Sequence, residues 1–388
     1  MNILFVIHTP KDPLTAVYAN VSRRARYFAE CGHHSAVLTP NDFPWLERLS
    51  PRWYPLLYPL AVAFWLMKQS RKYDVVILHS YAGWTLNLLR RVLPQLKRIR
   101  TITSFHGLEP LHYRIQKEDM EKAGQPLSLR YRLMQGMITQ RLIRQSCRRS
   151  DLIGCLNGQE VAYLVENEWA RPAKVVISAN GVDRSFFAAR LPRKEAKNLL
   201  FVGQWMERKG IKYLIEAFSR LACTKPDLQL WCIGTLLDEQ TVLADFPDKV
   251  RARVIVRPKI SREEISKIYQ ESDVFVFPSL FEGSSLALLE AMASGLPIVT
   301  TPVGAAPDML ESEASALLVP ARDSLALAEA VQRLLVDGSL RERLGRQAQA
   351  VAERYEGSRL YQGQVRIVEE LVNGDNAPGP VRKLMKWS

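Results

Sequence analysis

The chain has 388 residues, of which 47% are hydrophobic and 24% charged; this excludes a disordered or fibrous protein and predicts about two globular domains. The five cysteines are an odd number without a C-x-x-C pair, which argues against a disulfide framework and a zinc site. The net charge of +13 arises in residues 1–190, with 27 basic and 14 acidic residues, whereas residues 191–388 are neutral overall. The first half therefore carries either a solvated basic surface or a surface for an anionic partner.

The chain starts with a short apolar run, residues 3–7, directly after Met1 and Asn2. Because this run has no basic flank and no cleavage site, we expect no export signal and a cytoplasmic protein. A reducing compartment also suits the five unpaired cysteines.

Twelve short apolar runs rich in β-branched residues alternate with longer stretches that are typical of helices. In the first half they are Ile3 to Ile7, Ala36 to Thr39, Asp74 to His79, Thr101 to Phe105, Leu152 to Leu156 and Val175 to Ser178. In the second half they are Leu199 to Val202, Gln229 to Ile233, Arg253 to Val256, Val274 to Phe277, Ile298 to Thr301 and Leu317 to Val319. The alternation predicts an α/β protein in which each half forms its own Rossmann-like, doubly wound parallel sheet.

The connection between the two halves, Phe187 to Asn198, is rich in charge and contains Pro192. We therefore predict one domain over residues 1–190 and a second over residues 191–372. The last helix either stays with the second domain or packs back on the first. Residues 373–388 form a basic tail, which is either a loose end or a contact with a membrane surface.

Residues 53–67 read WYPLLYPLAVAFWLM and contain no charge. The stretch is too short to span a bilayer, which needs about 20 apolar residues. It predicts either an interfacial helix with aromatic anchors, followed by basic residues, or a buried helix of the first domain. The interfacial alternative would place the protein at the periphery of the inner face of a membrane.

Polar residues follow three predicted strands of the first half. His106 comes directly after the strand Thr101 to Phe105, His79 and Ser80 come at the end of the strand from Asp74, and Asp12 lies on the loop after the first strand. Open parallel sheets bind ligands at the carboxyl ends of their strands. We expect these residues to face a ligand, although His106 could also be a structural histidine.

The most informative segment is residues 272–308, which read SDVFVFPSLFEGSSLALLEAMASGLPIVTTPVGAAPD. A buried strand ends at Pro278, a tight loop follows, and a helix begins near Leu286. A loop that leads into a helix N-terminus predicts a phosphate site, because backbone N–H groups and the helix dipole both face the ligand. Glu282 and Glu290 lie in the same segment, eight residues apart, and carboxylates accept hydrogen bonds from sugar hydroxyls.

This segment, with its strand, P-S-x-x-E-G, E-x7-E and A-M-A-S-G-x-P-I-V-x-T-x-V-G, resembles the donor-site signature of glycosyltransferase family 4. The resemblance implies a retaining enzyme of GT-B fold, with two Rossmann-like domains that face each other across a cleft. It assigns the acceptor to the first domain and the nucleotide-sugar to the second. It implies that Glu282 contacts donor-sugar hydroxyls and that Glu290 binds the ribose. The backbone at Gly283, Ser284, Ser285 and Leu286 would hold sugar and diphosphate, and His106 would point to the donor sugar.

Residues 199–218, LLFVGQWMERKGIKYLIEAF, carry a second part of the resemblance. The family has an Arg after the strand's glycine, Gly203, where this chain has Gln204. Lys209 matches the family's Lys, and Arg208 is expected to supply the missing guanidinium, so that both neutralise a leaving diphosphate. Gly234, together with Lys259 and Ile260, resembles the walls of the family's base pocket. The Gly-Gly pair that the family has after its first strand is absent here.

The resemblance therefore predicts transfer of a hexose from a nucleotide-diphosphate sugar. The basic first half and the aromatic residues 53–67 favour a lipid-linked, envelope or exopolysaccharide acceptor, with a soluble acceptor as the alternative. No D-x-D triplet is present, so we expect neither a metal ion nor another cofactor, and positive side chains would stabilise the leaving group. An anionic membrane surface is an expected partner, and nucleic acid is not, because no recognition motif accompanies the basic charge. The alternatives are a nucleotide-sugar epimerase, a sugar-phosphate synthase or an inactive nucleotide-sugar-binding protein.

Overall fold

The computed structural model describes residues 1–12, 15–48, 53–122, 124–187 and 195–374. The chain forms two compact units, of which the first comprises Met1–Ala179 and the chain from Ser358 onwards, and the second comprises Asn180–Gly357. The predicted boundary near residue 190 lies in the segment 188–194, outside the described residues, as does nearly all of the predicted basic tail. The second unit already begins at Asn180 because this residue is bonded to Ser284, with its side-chain amide donating to the Ser284 carbonyl oxygen at 2.7 Å.

The first unit is built on a six-stranded, fully parallel sheet with the strand order β2-β1-β3-β4-β5-β6. The strands are β1 (Asn2–Val6), β2 (His34–Leu38), β3 (Val75–His79), β4 (Arg100–Ser104), β5 (Leu152–Cys155) and β6 (Val175–Ile177). The order reverses between β1 and β3, and in such sheets the crevice at the carboxyl ends of the two strands is the usual ligand site.

Helices cover both faces of this sheet. Their bounds are α1 (Ala16–Glu30), α2 (Pro44–Glu47), α3 (Tyr54–Lys68), α4 (Trp84–Leu89), α5 (Pro94–Lys97), α6 (Glu109–Lys122), α7 (Leu129–Leu133), α8 (Gln140–Arg149) and α9 (Gly158–Glu166). A π-helical turn, Met134–Thr139, joins α7 to α8. One core cluster packs Leu4 and Val6 against α3, and another packs Ile3 and Phe5 against α1, because neighbouring residues of a strand point to opposite faces.

The predicted aromatic stretch forms α3, which packs on the sheet of the first unit. Tyr58, Val62 and Leu66 are buried in one core cluster, and the Tyr58 hydroxyl donates a 2.7 Å hydrogen bond to the Ile7 carbonyl oxygen. The buried-helix alternative therefore describes the packing of α3. Among the described residues, no helix combines the length and the apolar character that a bilayer span requires.

The second unit contains another six-stranded parallel sheet, with the order β12-β11-β10-β7-β8-β9. Its strands are β7 (Asn198–Val202), β8 (Gln229–Ile233), β9 (Val254–Arg257), β10 (Val274–Phe277), β11 (Ile298–Thr300) and β12 (Leu317–Leu318). The order reverses between β7 and β10. Each of the twelve predicted strands overlaps an observed strand, and the predicted α/β class with two doubly wound parallel sheets is confirmed.

The helices after β7 are α10 (Ile211–Thr224), α11 (Glu239–Ala244), α12 (Asp248–Arg251), α13 (Arg262–Glu271), α14 (Leu286–Ala293), α15 (Ala306–Met309), α16 (Ser324–Val336), α17 (Gly338–Ala352) and α18 (Gly357–Asn373). The last helix, α18, packs on the first unit, where Val365 and Val368 join the core cluster of β1 and α1. Its Gln364 amide donates to the Ala179 carbonyl oxygen at 3.2 Å. Its apolar face thus shares with α1 the cover of one face of the first sheet.

Candidate functional site

The strand-order reversal of the second unit places two oppositely charged side chains together. Lys209 follows β7 and Glu282 follows β10, and Lys209 Nζ lies 2.6 Å from Glu282 Oε1. The Ser279 hydroxyl donates to the same oxygen at 2.7 Å, and Lys209 Nζ also lies 5.1 Å from the ring centre of Phe277. Only 13% of the lysine and 10% of the glutamate side chain are exposed. The predicted residues Lys209 and Glu282 therefore form one largely buried ion pair at the crevice.

Glycines allow the loops around this ion pair to approach each other. Gly210 has a φ of +72°, and a Cβ atom there would collide with the Pro278 carbonyl oxygen. Gly304 has a φ of +59°, and its Cβ would lie 2.5 Å from the Glu282 carbonyl oxygen. Because both positions need a left-handed backbone and lack space for a side chain, glycine is the residue that fits.

The loop before α14 is fixed by hydrogen bonds. The Ser285 hydroxyl caps α14 by accepting from the Leu288 N–H at 3.4 Å, and the Ser284 hydroxyl accepts from the Asn180 N–H at 3.3 Å. The Gly283 carbonyl oxygen accepts from the Ala305 N–H at 2.8 Å. The predicted phosphate-binding residues Gly283 to Leu286 thus lead into a helix N-terminus, which favours negative charge.

Glu290 lies on α14 and is half-buried. Its Oε2 accepts a 3.1 Å hydrogen bond from the hydroxyl of the buried Tyr269, which also lies 3.1 Å from the Ala287 carbonyl oxygen. Burial raises the pKa of Tyr269 well above its ordinary value, and the nearby Glu290 carboxylate adds to this shift. The tyrosine remains a donor and holds the glutamate in place.

The other predicted donor residues lie at the carboxyl ends of β7, β8 and β9. Gly203 and Gln204 follow β7, Gly234 follows β8, and Lys259 and Ile260 follow β9. The Gln204 and Lys259 side chains are exposed. The space beside Gly234 is open, because no heavy atom lies within 4 Å of the position that a Cβ would take there. Arg208 is half-buried, with its carbonyl oxygen accepting from the Leu280 N–H at 2.9 Å. The sheet thus brings these residues to one edge.

The strand-order reversal of the first unit is lined by histidines. His79 ends β3 and His106 follows β4, and their rings stack with centroids 4.3 Å apart and planes at 5°. His8 follows β1, and its ring lies 5.1 Å from that of Tyr81. The sequence predicted His79 and His106 but missed His8, although its position at the end of the first apolar run could have indicated it.

Several buried polar atoms of this histidine cluster have no hydrogen-bond partner among the described residues. They are both ring nitrogens of His79, Nε2 of His106, Nδ1 of His8 and the Ser80 hydroxyl. An unsatisfied buried polar group costs about 1–3 kcal/mol of stability. This arrangement is therefore typical of a site that binds a polar ligand. Ser80 also has a φ of +57°, which is uncommon for a residue other than glycine.

The histidines are held in their neutral forms. Burial, together with the nearby His8 and Arg24, lowers the pKa of His106 to about 3. Burial also lowers the pKa of His79 well below its ordinary value and lowers that of His8, which Glu109 partly opposes. A neutral imidazole both donates and accepts a hydrogen bond, and the cluster therefore suits hydroxyl groups.

Glu160 on α9 holds the loop that carries His106. Its carboxylate is fully buried and accepts from the Leu108 N–H at 2.9 Å and from the Leu156 N–H at 2.8 Å. Burial raises its pKa to about 7, which those two N–H groups partly oppose. Glu160 could not be predicted from the sequence, because a single acidic residue in a helix carries no signal of such a contact.

The acceptor-side prediction Asp12 lies in the turn after β1, where its carbonyl oxygen accepts from the Thr15 hydroxyl at 2.8 Å. Residues 13–14 of this turn are outside the described part of the chain. Within the described ranges, no group of three or more His, Cys, Asp and Glu side chains is arranged to hold a metal ion.

Both halves of the sequence match known protein families. Residues 21–186 match the family described as Glycosyltransferase Family 4, and residues 196–337 match the family described as Glycosyl transferases group 1. The chain belongs to glycosyltransferase family 4. It is 31% identical over 188 residues to D-inositol 3-phosphate glycosyltransferase of Mycobacteroides abscessus, a match that covers 46% of this chain and 42% of that relative. This chain thus spans about half the length of the curated relatives that it matches.

Solved structures establish the fold of this family 4 chain. Sucrose-phosphate synthase from Thermosynechococcus elongatus superimposes with a TM-score of 0.74 at 21% identity, covering 97% of this chain and 100% of that one. HepE of Anabaena, solved in complex with UDP, gives a TM-score of 0.70 at 15% identity and covers 95% and 100%. The predicted GT-B fold is confirmed.

Proposed function

We propose that this chain transfers a hexose from a nucleotide-diphosphate sugar to an acceptor hydroxyl, with retention of the anomeric configuration. The observation that carries the proposal is the buried Lys209–Glu282 ion pair beside the N-terminus of α14. A positive side chain and a helix N-terminus suit a diphosphate, and a carboxylate suits the hydroxyls of the attached sugar. HepE, which has the same fold, was solved in complex with UDP, and this supports a nucleotide as part of the donor.

The proposed reaction breaks the bond between the sugar's anomeric carbon and the diphosphate oxygen. The acceptor oxygen forms the new bond to the same carbon on the same face, and its proton passes to the leaving diphosphate. Lys209 and Arg208 stabilise the charge that develops on this leaving group. Retention then needs no enzyme nucleophile, so a trapped glycosyl-enzyme adduct would contradict this mechanism.

We propose that protein groups, rather than a metal ion, neutralise the charge of the diphosphate. The sequence has no D-x-D triplet, whereas Lys209, Arg208 and the α14 N-terminus supply positive charge at the crevice of the second unit. Activity that is unchanged by EDTA would support this assignment, and activity restored only by a divalent cation would overturn it.

The acceptor is proposed to bind in the first unit, at His79 and Ser80 of its histidine cluster. Neutral imidazoles and the Ser80 hydroxyl, all with unpartnered buried atoms, suit a hydroxyl-rich saccharide. The basic excess of residues 1–190 favours an acceptor that is linked to a phosphate-bearing lipid or belongs to an envelope polysaccharide. This acceptor would place the chain at the inner face of a membrane.

The experiment is a screen of UDP- and GDP-sugars for nucleotide release without added metal. We expect one donor to be consumed by the wild type, and Glu282→Ala and Lys209→Ala to reduce the rate at least about a hundredfold. Lys212→Ala and Glu216→Ala, which change exposed residues of the neighbouring helix α10, are the matched controls. Nucleotide binding without release, with or without added saccharides, would instead favour an inactive nucleotide-sugar-binding protein.

A further inference from the structure

The helical segment from α7 through the π-helical turn exposes a stripe of large apolar side chains. Leu129 is 70% exposed, Leu133 45% and Met137 46%. Residues four apart on a helix lie on the same side, so these three side chains form one row, here called the exposed stripe. Large apolar residues in a row at a protein surface mark an interaction site.

Arginines flank the exposed stripe. Residues 128–149 contain six arginines and no acidic residue, and Arg130, Arg132 and Arg141 are exposed. None of these three forms an ion pair with an acidic residue in the described part of the chain. The surface therefore combines apolar side chains with unneutralised positive charge. A binding partner that matches it has an apolar layer and an anionic face.

The opposite side of the segment is firmly packed on the first unit. A Cβ at Gly136 would collide with the Tyr113 side chain of α6, and the Tyr131 hydroxyl donates to Gln116 of α6 at 2.7 Å. Further along, Ile143 and Cys147 are buried. The exposed stripe is thus presented on an anchored helix rather than on a loose segment.

We propose that the exposed stripe and its three arginines dock this chain on an anionic lipid bilayer. The apolar side chains enter the interfacial region while the arginines bind lipid phosphates, as in other interfacial amphipathic helices. The inference rests on the proposed function, because it names the surface that brings the chain to a membrane-bound acceptor. It takes the place of residues 53–67 as the proposed contact, because α3 packs one face against the core, where six of its 15 residues are buried.

The test is flotation of the full chain with vesicles of phosphatidylcholine alone or mixed equally with phosphatidylglycerol. The wild type is expected to float with the mixed vesicles only. The triple variant Leu129→Ser, Leu133→Ser, Met137→Ser and the triple variant Arg130→Gln, Arg132→Gln, Arg141→Gln should each bind at least about tenfold more weakly. The matched controls Phe64→Ser and Arg171→Gln change exposed residues elsewhere in the first unit and should bind as the wild type does.

Circular dichroism melts establish that each variant is folded before its binding is compared. Loss of binding in Phe64→Ser with full binding in both triple variants would overturn the proposal, as would a wild type that floats with neither vesicle. A wild-type dimer that the apolar triple variant converts to a monomer, without vesicle binding, would assign the stripe to a second copy instead. Nucleotide release is measured separately, so failed flotation with intact turnover overturns this surface alone, and the reverse result overturns the transferase proposal alone.

Discussion

The stacked residues His79 and His106 are kept neutral by burial, and this protonation state decides what they can bind. A neutral imidazole offers a donor and an acceptor to a hydroxyl group, whereas an imidazolium offers donors only. The same burial makes the stability of the fold sensitive to acid, because these histidines bind protons in the unfolded chain at pH values at which they stay neutral in the folded chain.

The first prediction concerns this acid sensitivity. Between the ordinary histidine pKa of 6.5 and the folded value of about 3 for His106, the unfolded state binds the additional proton, so stability falls as pH falls. From about pH 6.5 to about pH 5, the wild type should lose about 1.6 kcal/mol more unfolding free energy than His106→Asn. Urea unfolding near both pH values measures the difference, with the exposed His34→Asn as the control. Equal losses in the wild type and His106→Asn would contradict the assignment.

A second prediction compares two glycines with left-handed backbones. Gly304→Ala places a methyl group against the Glu282 carbonyl oxygen, whereas Gly32, with a φ of +86°, has no atom within 4 Å of a built Cβ. We expect Gly32→Ala to cost about 1 kcal/mol of unfolding free energy from backbone strain alone. Gly304→Ala should cost at least about 2 kcal/mol and reduce nucleotide release, because the Glu282 loop must shift. Chemical denaturation and the release assay give both values; equal effects of the two substitutions would argue against the close contact.

Sequence motifs that lie within one loop identified residues that the structure brings together, although their roles stay predictions. Lys209 and Glu282 each follow a strand in a recognisable segment, and the structure brings them to 2.6 Å. Glu160 was missed because its role depends on neighbours from distant parts of the chain, whereas His8, which directly follows the first apolar run, was predictable. For example, Glu160 bonds the N–H of Leu108, 52 residues away. Local pattern carries no information about such a pairing.

At the scale of elements, α9 holds the loops after β4 and β5 through Glu160. We predict that Glu160→Ala lowers the unfolding free energy by about 3 kcal/mol, because two buried N–H groups lose their acceptor. The amides of Leu108 and Leu156 should exchange with deuterium at least about tenfold faster. Glu166→Ala, at the exposed end of the same helix, is the control and should change neither quantity. Unchanged exchange in Glu160→Ala would show that the loops are held by other contacts.

The strands were predictable because buried parallel strands are continuous apolar runs bounded by polar turns. The position of α3 could not be predicted, because an interfacial helix and a core helix have the same apolar composition. Only the surface against which the helix packs distinguishes them. The structure supplies that partner, with Tyr58 and Val62 packed among residues of β1 and β3. The exposed stripe was missed for the converse reason, because its apolar residues look like core positions in the sequence.

At the scale of the whole molecule, the two units differ in continuity. The second unit is one unbroken stretch, Asn180–Gly357, whereas the first needs the chain from Ser358 onwards. We predict that a fragment of residues 180–357 unfolds cooperatively and binds the donor nucleotide, as calorimetry would measure. A fragment of residues 1–179 should lack cooperative unfolding, and adding residues 358–374 through a linker should restore it. A cooperatively folded 1–179 fragment would contradict the role assigned to α18.

The return of α18 to the first unit determines the order in which a newly made chain can fold. The Tyr27 hydroxyl donates to the Ser358 carbonyl oxygen at 2.7 Å, across 331 positions of sequence. On the ribosome, the second unit is therefore complete before the first, although most of the first is synthesised earlier. Until α18 has been synthesised, the part of this sheet face that Val365 and Val368 cover stays open, and a chain that stopped after residue 357 would keep that apolar surface exposed.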